Sequence, residues 1–206
     1  AVAMAILWLL ESGNPATIGN MPWYDQAVNA WFQAVTPRSA GFNTVDTGAM
    51  TEASAVFTLL LMFIGGGSMS TAGGIKLGTF IILLLATYTF LRRREAVTLG
   101  DRTIPQDLVM KALAVTIVYL GLIFAGIFAL MILNSLPFID IAFEVLSASA
   151  TVGLSRGITA EVTDSSQLIL IFLMFAGRLG PLTLGYFVAT PKKRHLRYPD
   201  TDIQVG

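Results

Sequence analysis

The sequence predicts an all-α integral membrane fold built from two parallel copies of one helix–loop–helix unit. A composition poor in charge, long uncharged apolar stretches and an internal repeat support this prediction. Of the 206 residues, 54% are hydrophobic and 13% are charged, far below the ~25% charged residues of a soluble domain. Thirteen basic residues balance thirteen acidic ones, so no nucleic-acid partner is expected. The sequence has no Cys, which excludes disulfides and thiolate chemistry.

Three apolar stretches predict helices embedded in a lipid bilayer. The longest is uncharged from Lys111 to Asp140, so a helix at about 106–134 is long enough to cross a hydrocarbon core of ~30 Å. A shorter stretch, 77–91, ends in three arginines, and a third, 168–190, contains one charge and leads into a basic tail. These stretches indicate a multi-pass membrane protein.

The distribution of charge predicts the orientation in the cell (plasma) membrane. Basic clusters at 92–94 and 192–197 are expected in the cytoplasm together with the C-terminus. The helix at 106–134 and a further helix at about 165–190 supply the two crossings between these clusters. The remaining connections are acidic and are expected to face outward; they contain Asp25, Asp46, Glu52, Asp140, Glu144, Glu161 and Asp164.

An internal repeat aligns the two halves of the chain without a gap. The offset is 112 residues, which sets Gly41 on Gly153 and Thr51 on Thr163. Matched polar and glycine positions in one register rarely arise by chance, even in an apolar chain. The same offset aligns Glu52 with Asp164, Ser54 with Ser166, Leu61-Met62-Phe63 with Leu173-Met174-Phe175, and Gly65 with Gly177.

Each copy begins with an amphipathic segment that is too short to span a bilayer. The segments are 24–35 and 139–149, and stretches of about 10–14 residues re-enter the membrane from one face. A glycine-containing stretch follows each of them, at 36–44 and at 149–157. The two copies therefore share a re-entrant half-helix and an extended loop.

A longer helix follows the loop in each copy. Thr51 and Thr163 are suited to cap the N-termini of these helices. The helix at 106–134 precedes the second copy, but only an apolar segment at 1–10 precedes the first. Because that segment reaches only ~15 Å, we expect it to be part of a truncated helix.

The repeated glycine loops are predicted to form a selectivity filter for K⁺. Irregular backbone at membrane depth is tolerated only inside protein or along a watery path. These segments have no acidic side chain, so backbone carbonyls would replace the water around a cation, and glycine permits the positive φ that points successive carbonyls one way. The C-terminal dipole ends of both short helices would face that cation. The candidate filter residues are Ser39, Ala40, Gly41 and Phe42 in the first copy, and Thr151, Val152, Gly153 and Leu154 in the second.

Alternative interpretations remain for these glycines and for the fold. Gly41 and Gly153 could mark turns or tight packing, although their occurrence in two aligned copies favours a filter. Thr151-Val152-Gly153 also matches the start of the potassium-channel filter sequence. A secondary transporter that binds another small solute with glycine-broken helices is the alternative function. An enzyme is not expected, because no His, Asp or Glu pair lies within a predicted span.

A glycine-rich segment at 65–76 interrupts the apolar sequence between the two helices that flank it. A nucleotide-binding loop would need Gly-Lys-Ser/Thr, which is absent here, and close helix packing would space the glycines instead of clustering them. We interpret the segment as a flexible intramembrane gate loop. Its candidate residues are Gly65, Gly66, Gly67, Ser68, Ser70, Thr71, Gly73, Gly74 and Lys76.

Arg178 is the single charge within the last apolar stretch. A charge at such depth costs ~2.5–3.5 kcal/mol or more unless it faces a cavity or a partner. The repeat aligns Arg178 with Gly66 of the glycine-rich segment, so both positions should lie below the filter. Arg178 is therefore predicted to form a pore constriction; the alternative is that its side chain reaches the cytoplasm past three further helical turns.

Four motifs together resemble the Trk/Ktr/HKT superfamily of potassium transporters, and most of all the membrane subunits of bacterial Ktr systems. They are 36–44 (TPRSAGFNT), 65–76 (GGGSMSTAGGIK), 150–155 (ATVGLS) and 177–183 (GRLGPLT). The resemblance implies a pore of four helix–pore-loop–helix repeats around a pseudo-fourfold axis, with one glycine per filter segment. This chain would supply the third and fourth repeats. Gly41 and Gly153 would be filter glycines, 65–76 the gate, and Arg178 the pore arginine.

The resemblance also implies an organisation of the chain. Residues 1–94 would form the third repeat, 95–105 a cytoplasmic linker, 106–191 the fourth repeat, and 192–206 a cytoplasmic tail. The two remaining repeats of the pore would be partners, because half a filter cannot surround an ion.

The same resemblance implies partners and ions. The family forms a homodimer on a cytosolic ring of nucleotide-binding regulatory subunits, so ATP or ADP is expected there and no cofactor on this chain. K⁺ is the implied permeant ion, and uptake stimulated by Na⁺ is common in the Ktr branch.

Overall fold

The computed structural model describes residues 1–38, 40–67, 70, 72–94 and 96–180, and this part of the chain is mostly helical. A two-stranded antiparallel hairpin lies between the fourth and fifth helices. A short 3₁₀ turn at Thr36–Arg38 directly follows the second helix, and another at Ile158–Ala160 follows the second glycine-containing stretch. The elements are α1 (Val2–Glu11), α2 (Trp23–Val35), α3 (Glu52–Phe63), α4 (Leu77–Leu91), β1 (Thr98–Leu99), β2 (Arg102–Thr103), α5 (Gln106–Leu133), α6 (Phe138–Ser149) and α7 (Asp164–Leu179).

The two short amphipathic segments are helices, as their patterns predict. α2 packs mainly on α1, whereas α6 packs on α3, α5 and α7. Every residue from 141 to 150 is consequently buried. α6 therefore lies at the centre of the largest hydrophobic core, which includes Phe143, Val145, Tyr119 and Leu173.

The predicted caps of α3 and α7 are confirmed, but the expectation of a longer helix after the first loop is wrong, because α3 has 12 residues and α2 has 13. The hydroxyl of Thr51 accepts a hydrogen bond from the backbone N–H of Ser54, and Thr163 does the same for Ser166. The backbone N–H of each capping threonine is itself satisfied, by Glu11 Oε1 at 2.9 Å and by Asn134 Oδ1 at 3.0 Å. The end of α1 is thus tied to the start of α3, and the end of α5 is tied to the start of α7.

These caps predict a measurable contribution to stability. Thr163→Ala should destabilise the protein by about 1 kcal/mol, because an N-cap hydroxyl satisfies a backbone donor that water would otherwise have to reach. Thermal unfolding of the purified protein in detergent measures the effect. Thr87→Ala is the matched control, since the exposed Thr87 hydroxyl bonds only to a carbonyl of its own helix. An equal loss of thermal stability in the two variants would contradict the capping role of Thr163.

α5 is the one helix among the described residues that is long and apolar enough to cross a bilayer by itself. It spans 28 residues, and large apolar side chains such as Phe124 and Phe128 are exposed on it. Its opposite face packs closely on the core, where Gly126 lies against Leu173 and Val145.

The last helix is shorter than its apolar sequence predicts. α7 ends at Leu179, and Gly180 adopts a positive φ of 83°. The expectation of one continuous helix at 165–190 is therefore wrong at 180, because glycine readily adopts the backbone conformation that terminates a helix. The predicted continuation at 181–190 and the tail at 192–206 lie outside the described residues.

Candidate functional site

The two glycine loops meet, although 112 positions of sequence separate them. Gly41 and Gly153 both have positive φ, at 70° and 91°. A Cβ atom on Gly41 would collide with the carbonyl oxygen of Val152, and one on Gly153 would lie 3.7 Å from Gly41 Cα. The structure thus brings the two predicted filter segments into backbone contact, and glycine is required at position 41 for this approach.

The second loop is held from behind by α6. The backbone N–H of Val152 donates to the Ser147 carbonyl at 2.9 Å, and the N–H of Gly153 donates to Ser147 Oγ at 3.1 Å. Thr151 also adopts a positive φ, of 54°, a conformation that costs a non-glycine residue about 1–3 kcal/mol. Val152 and Leu154 are buried while Gly153 is exposed, so the loop presents its glycine backbone outward.

Two further contacts tie the outer end of this loop to α6. Arg156 Nε pairs with Asp140 Oδ1 at 2.6 Å, and the Arg156 guanidinium also donates to the Thr47 carbonyl at 3.3 Å. The Thr159 hydroxyl donates a hydrogen bond to Glu144 Oε1.

The expectation that Glu144 belongs to an outward-facing acidic connection is wrong, because this residue lies within α6 and is buried. The signal that could have identified the contacts is spacing. Asp140, Glu144 and Ser147 stand four and three residues apart, which places them on one helical face.

In the part of the first loop that the structure describes, the Thr36 side chain bonds to the backbone of the predicted filter segment. The Thr36 hydroxyl donates to the Phe42 carbonyl at 2.5 Å, and the Ala40 N–H donates to the Thr36 carbonyl at 3.1 Å. Phe42 is 72% exposed, so nothing in the described residues covers this side chain. The predicted filter residue Ser39 lies outside the described residues.

The glycine-rich segment contacts the second loop through Gly73. The Gly73 N–H donates to the Ala150 carbonyl and to Thr151 Oγ1, both at 3.1 Å. A Cβ atom on Gly73 would lie 2.6 Å from the Ala150 carbonyl group, so only glycine fits this contact. The predicted gate segment and the predicted filter are thus adjacent along the backbone.

The ends of this segment are paired with each other. The Gly65 N–H donates to the Ile75 carbonyl at 3.0 Å, and the Leu77 N–H donates to the Gly66 carbonyl at 3.1 Å. Lys76 Nζ then donates to two carbonyls of the loop, Ser70 at 2.8 Å and Ala72 at 2.6 Å. The loop is therefore folded back and closed at its base. Its described members also include Gly67 and Gly74, while Ser68 and Thr71 lie outside the described residues.

Arg178 lies in the last turn of α7 and not in the middle of a longer helix. Its side chain lines a cavity of about 440 Å³ together with Thr151 and Gly153 of the second loop. The preceding Gly177 is pressed against the Ser149 carbonyl oxygen, where a Cβ atom would collide. The Arg178 guanidinium group and the second glycine loop therefore line the same cavity.

The fold and this site together define a class of protein. Irregular backbone enclosed by apolar helices is the arrangement of membrane channels and transporters. The chain matches the family model described as TrkH, cation transport protein, over residues 1–197. The protein belongs to this family of membrane cation transporters, which are not enzymes.

Curated relatives cover the whole chain. It is 47% identical over 206 residues to the Ktr system potassium uptake protein B of Bacillus subtilis (strain 168), covering 100% of this chain and 46% of that protein. The Ktr system potassium uptake protein B of Vibrio alginolyticus is 40% identical, with coverages of 100% and 45%. The potassium/sodium uptake protein NtpJ of Enterococcus hirae is 35% identical, with coverages of 98% and 46%. The chain thus spans about half the length of these relatives.

A solved structure shares the fold. The potassium transporter TrkH from Vibrio parahaemolyticus matches with a TM-score of 0.78 at 23% identity, over 92% of this chain and 42% of that chain. At this identity the match concerns the fold alone.

Proposed function

We propose that this chain forms half of a potassium-selective uptake pore in the cell membrane. Its two glycine loops would be two of the four segments of a selectivity filter. One observation carries the proposal: loops from equivalent positions of two repeats meet through glycines that both have positive φ. Family membership and the names of the relatives support K⁺ as the transported ion.

The chemistry of the loops fits a partly dehydrated monovalent cation. Residues 40–42 and 151–154 contain no carboxylate, so backbone carbonyls are the ligands they offer. Each loop follows the C-terminal end of a short helix, α2 or α6, where the helix dipole is negative. The backbone carbonyls and the helix dipoles would both stabilise a K⁺ ion at the loops.

The other half of the pore would pack on α2. One exposed stripe of this helix, with residues three or four apart, has no cover among the described residues: Tyr24, Val28, Trp31 and Val35. The corresponding helix of the second copy, α6, buries its surface against α3 of the first copy. If each short helix packs against the neighbouring repeat in this way, α2 would bury its exposed stripe against a further repeat. The relatives are about twice as long as this chain, which leaves room for such a repeat.

The segment at 65–76 and Arg178 would control flow below the filter. The segment is bonded to the underside of the second loop through Gly73, and Arg178 lines the cavity beside that loop. A loop in this position can block the path, and a guanidinium can repel cations or hold the loop.

The assembly would be a homodimer with one pore per protomer on a cytosolic ring of nucleotide-binding subunits. The basic clusters at 92–94 and 192–197 would face the cytoplasm. The Ktr system names of the relatives support a membrane component that works with a separate subunit.

Radiotracer uptake tests the proposed function. A full-length protein that contains this chain, expressed in cells that require added K⁺ to grow, should support saturable rubidium uptake. K⁺ should compete strongly and Na⁺ weakly. Absence of uptake with the protein present in the membrane would contradict the proposal, and uptake insensitive to K⁺ would favour the alternative, a secondary transporter for another solute.

A further inference from the structure

A polar stripe on α6 holds the second glycine loop at three points. Asp140, Glu144 and Ser147 share one face of the helix. They bind Arg156, Thr159 and the Gly153 backbone N–H respectively. We propose that Glu144 is a positioning residue that fixes this loop and thereby sets discrimination between K⁺ and Na⁺. The inference rests on the proposed filter function.

A chain of hydrogen bonds leads from Glu144 to the residues that follow the filter. Glu144 Oε1 accepts from the Thr159 hydroxyl, which lies 2.9 Å from Ser155 Oγ. Ser155 directly follows Leu154, and its Oγ accepts from the Gly157 N–H at 3.0 Å. Through these bonds the carboxylate acts on the loop two residues beyond Gly153, and Glu144 also lines the cavity that Gly153 and Arg178 share.

The burial of Glu144 argues against an incidental surface contact. The residue is 6% exposed, and its Oε2 has no hydrogen-bond partner among the described residues. A carboxylate is costly to bury, while a hydrogen bond to a carboxylate is shorter and stronger than one between neutral groups. A stiff anchor of this kind keeps the loop from closing around Na⁺, which is smaller than K⁺.

Among the described residues, the first copy has no carboxylate at the positions equivalent to this anchor, which makes the second loop the stiffer one. The repeat aligns Asp140 with Val28, Glu144 with Phe32, and Ser147 with Val35. These three residues are apolar, and the first loop relies on the Thr36 hydroxyl instead. We therefore expect ion discrimination to depend more on the second loop.

The experiment compares substitutions along the hydrogen-bond chain in a full-length protein. Glu144→Gln and Thr159→Val should each lower the ratio of K⁺ to Na⁺ uptake by about tenfold, as expected from loss of one charge-assisted hydrogen bond. Thr159→Ser keeps the hydroxyl and should leave the ratio within about twofold of wild type on the same reasoning. The double variant should be no worse than either single variant, because both break one contact.

A matched carboxylate serves as the control. Glu161 is exposed on the same outer connection, so Glu161→Gln should leave the ratio unchanged. An unchanged ratio in Glu144→Gln and Thr159→Val would overturn the inference. So would an equal fall of K⁺ and Na⁺ uptake, because destabilisation alone lowers both.

A second set of outcomes separates this inference from the proposed function. If Glu144→Gln does not reach the membrane, Thr159→Val and Ser155→Ala decide the question, since Thr159 lies on the surface and Ser155 is half-buried. A wild-type protein without any preference for K⁺ would remove the proposed filter itself. Selective wild-type uptake with unchanged variants would remove only the role of Glu144.

Discussion

Substituting Gly153 by Ser is expected to lower the selectivity for K⁺ over Na⁺ by at least about tenfold. Gly153 has a φ of 91°, a conformation that costs a residue with a side chain about 1–3 kcal/mol. A Cβ atom there would lie 3.7 Å from Gly41 Cα, which is an ordinary contact. The protein should therefore fold while the loop relaxes away from the conformation that orients its carbonyls. Competitive rubidium and sodium fluxes measure the ratio.

Two further glycines calibrate this prediction. Gly121 is exposed on α5 and has nothing within 4 Å of a Cβ position, so Gly121→Ser should leave selectivity unchanged. Gly41→Ser should have a stronger effect than Gly153→Ser, because its side chain would collide with the Val152 carbonyl oxygen and so displace the second loop as well as the first. If Gly153→Ser reaches the membrane and retains wild-type selectivity, the filter assignment of this loop is wrong.

Deleting 67–72 is expected to raise the maximal rate of K⁺ transport severalfold. The glycine-rich segment is bonded to Ala150 and Thr151 through Gly73, so it would lie in the path of an ion leaving the filter. Gly65 is already pressed against the Gly73 carbonyl oxygen. Joining Gly66 to Gly73 should therefore require little movement of α3 or α4.

Rubidium uptake at saturating concentration measures this effect, normalised to the amount of protein in the membrane. The ratio of K⁺ to Na⁺ uptake is the internal control and should change little, because the two glycine loops remain intact. A lower rate at normal abundance would argue against a gate and for a structural role of the segment.

Local sequence patterns carry much of the fold. Apolar stretches and the repeat predict the short helices α2 and α6, and the caps at Thr51 and Thr163 follow from residue type and position. The end of α7 at Leu179 was not predicted. Apolar sequence continues to 190, and hydropathy is insensitive to the backbone conformation that Gly180 adopts.

The anchors of the second loop show why other features escape sequence reasoning. From the sequence, Glu144 and Asp140 are ordinary acidic residues of an outer connection, because it shows their charge but not the burial of Glu144 or the pairing of Asp140 with Arg156. Burial comes from packing of α6 against α3, α5 and α7. The partners Arg156 and Thr159 then follow from the return of the chain along the same helix face.

The sequence alone determined the class of protein, the internal repeat and the positions of the two aligned loop glycines, because each of these depends on composition and local order along the chain. Tertiary structure decided that Gly41 touches the second loop, that Gly73 lies against Ala150, and that Glu144 is buried. In the first two of these contacts, backbone atoms of residues far apart in sequence touch each other. These contacts exist only once the helices have packed, so no local pattern encodes them.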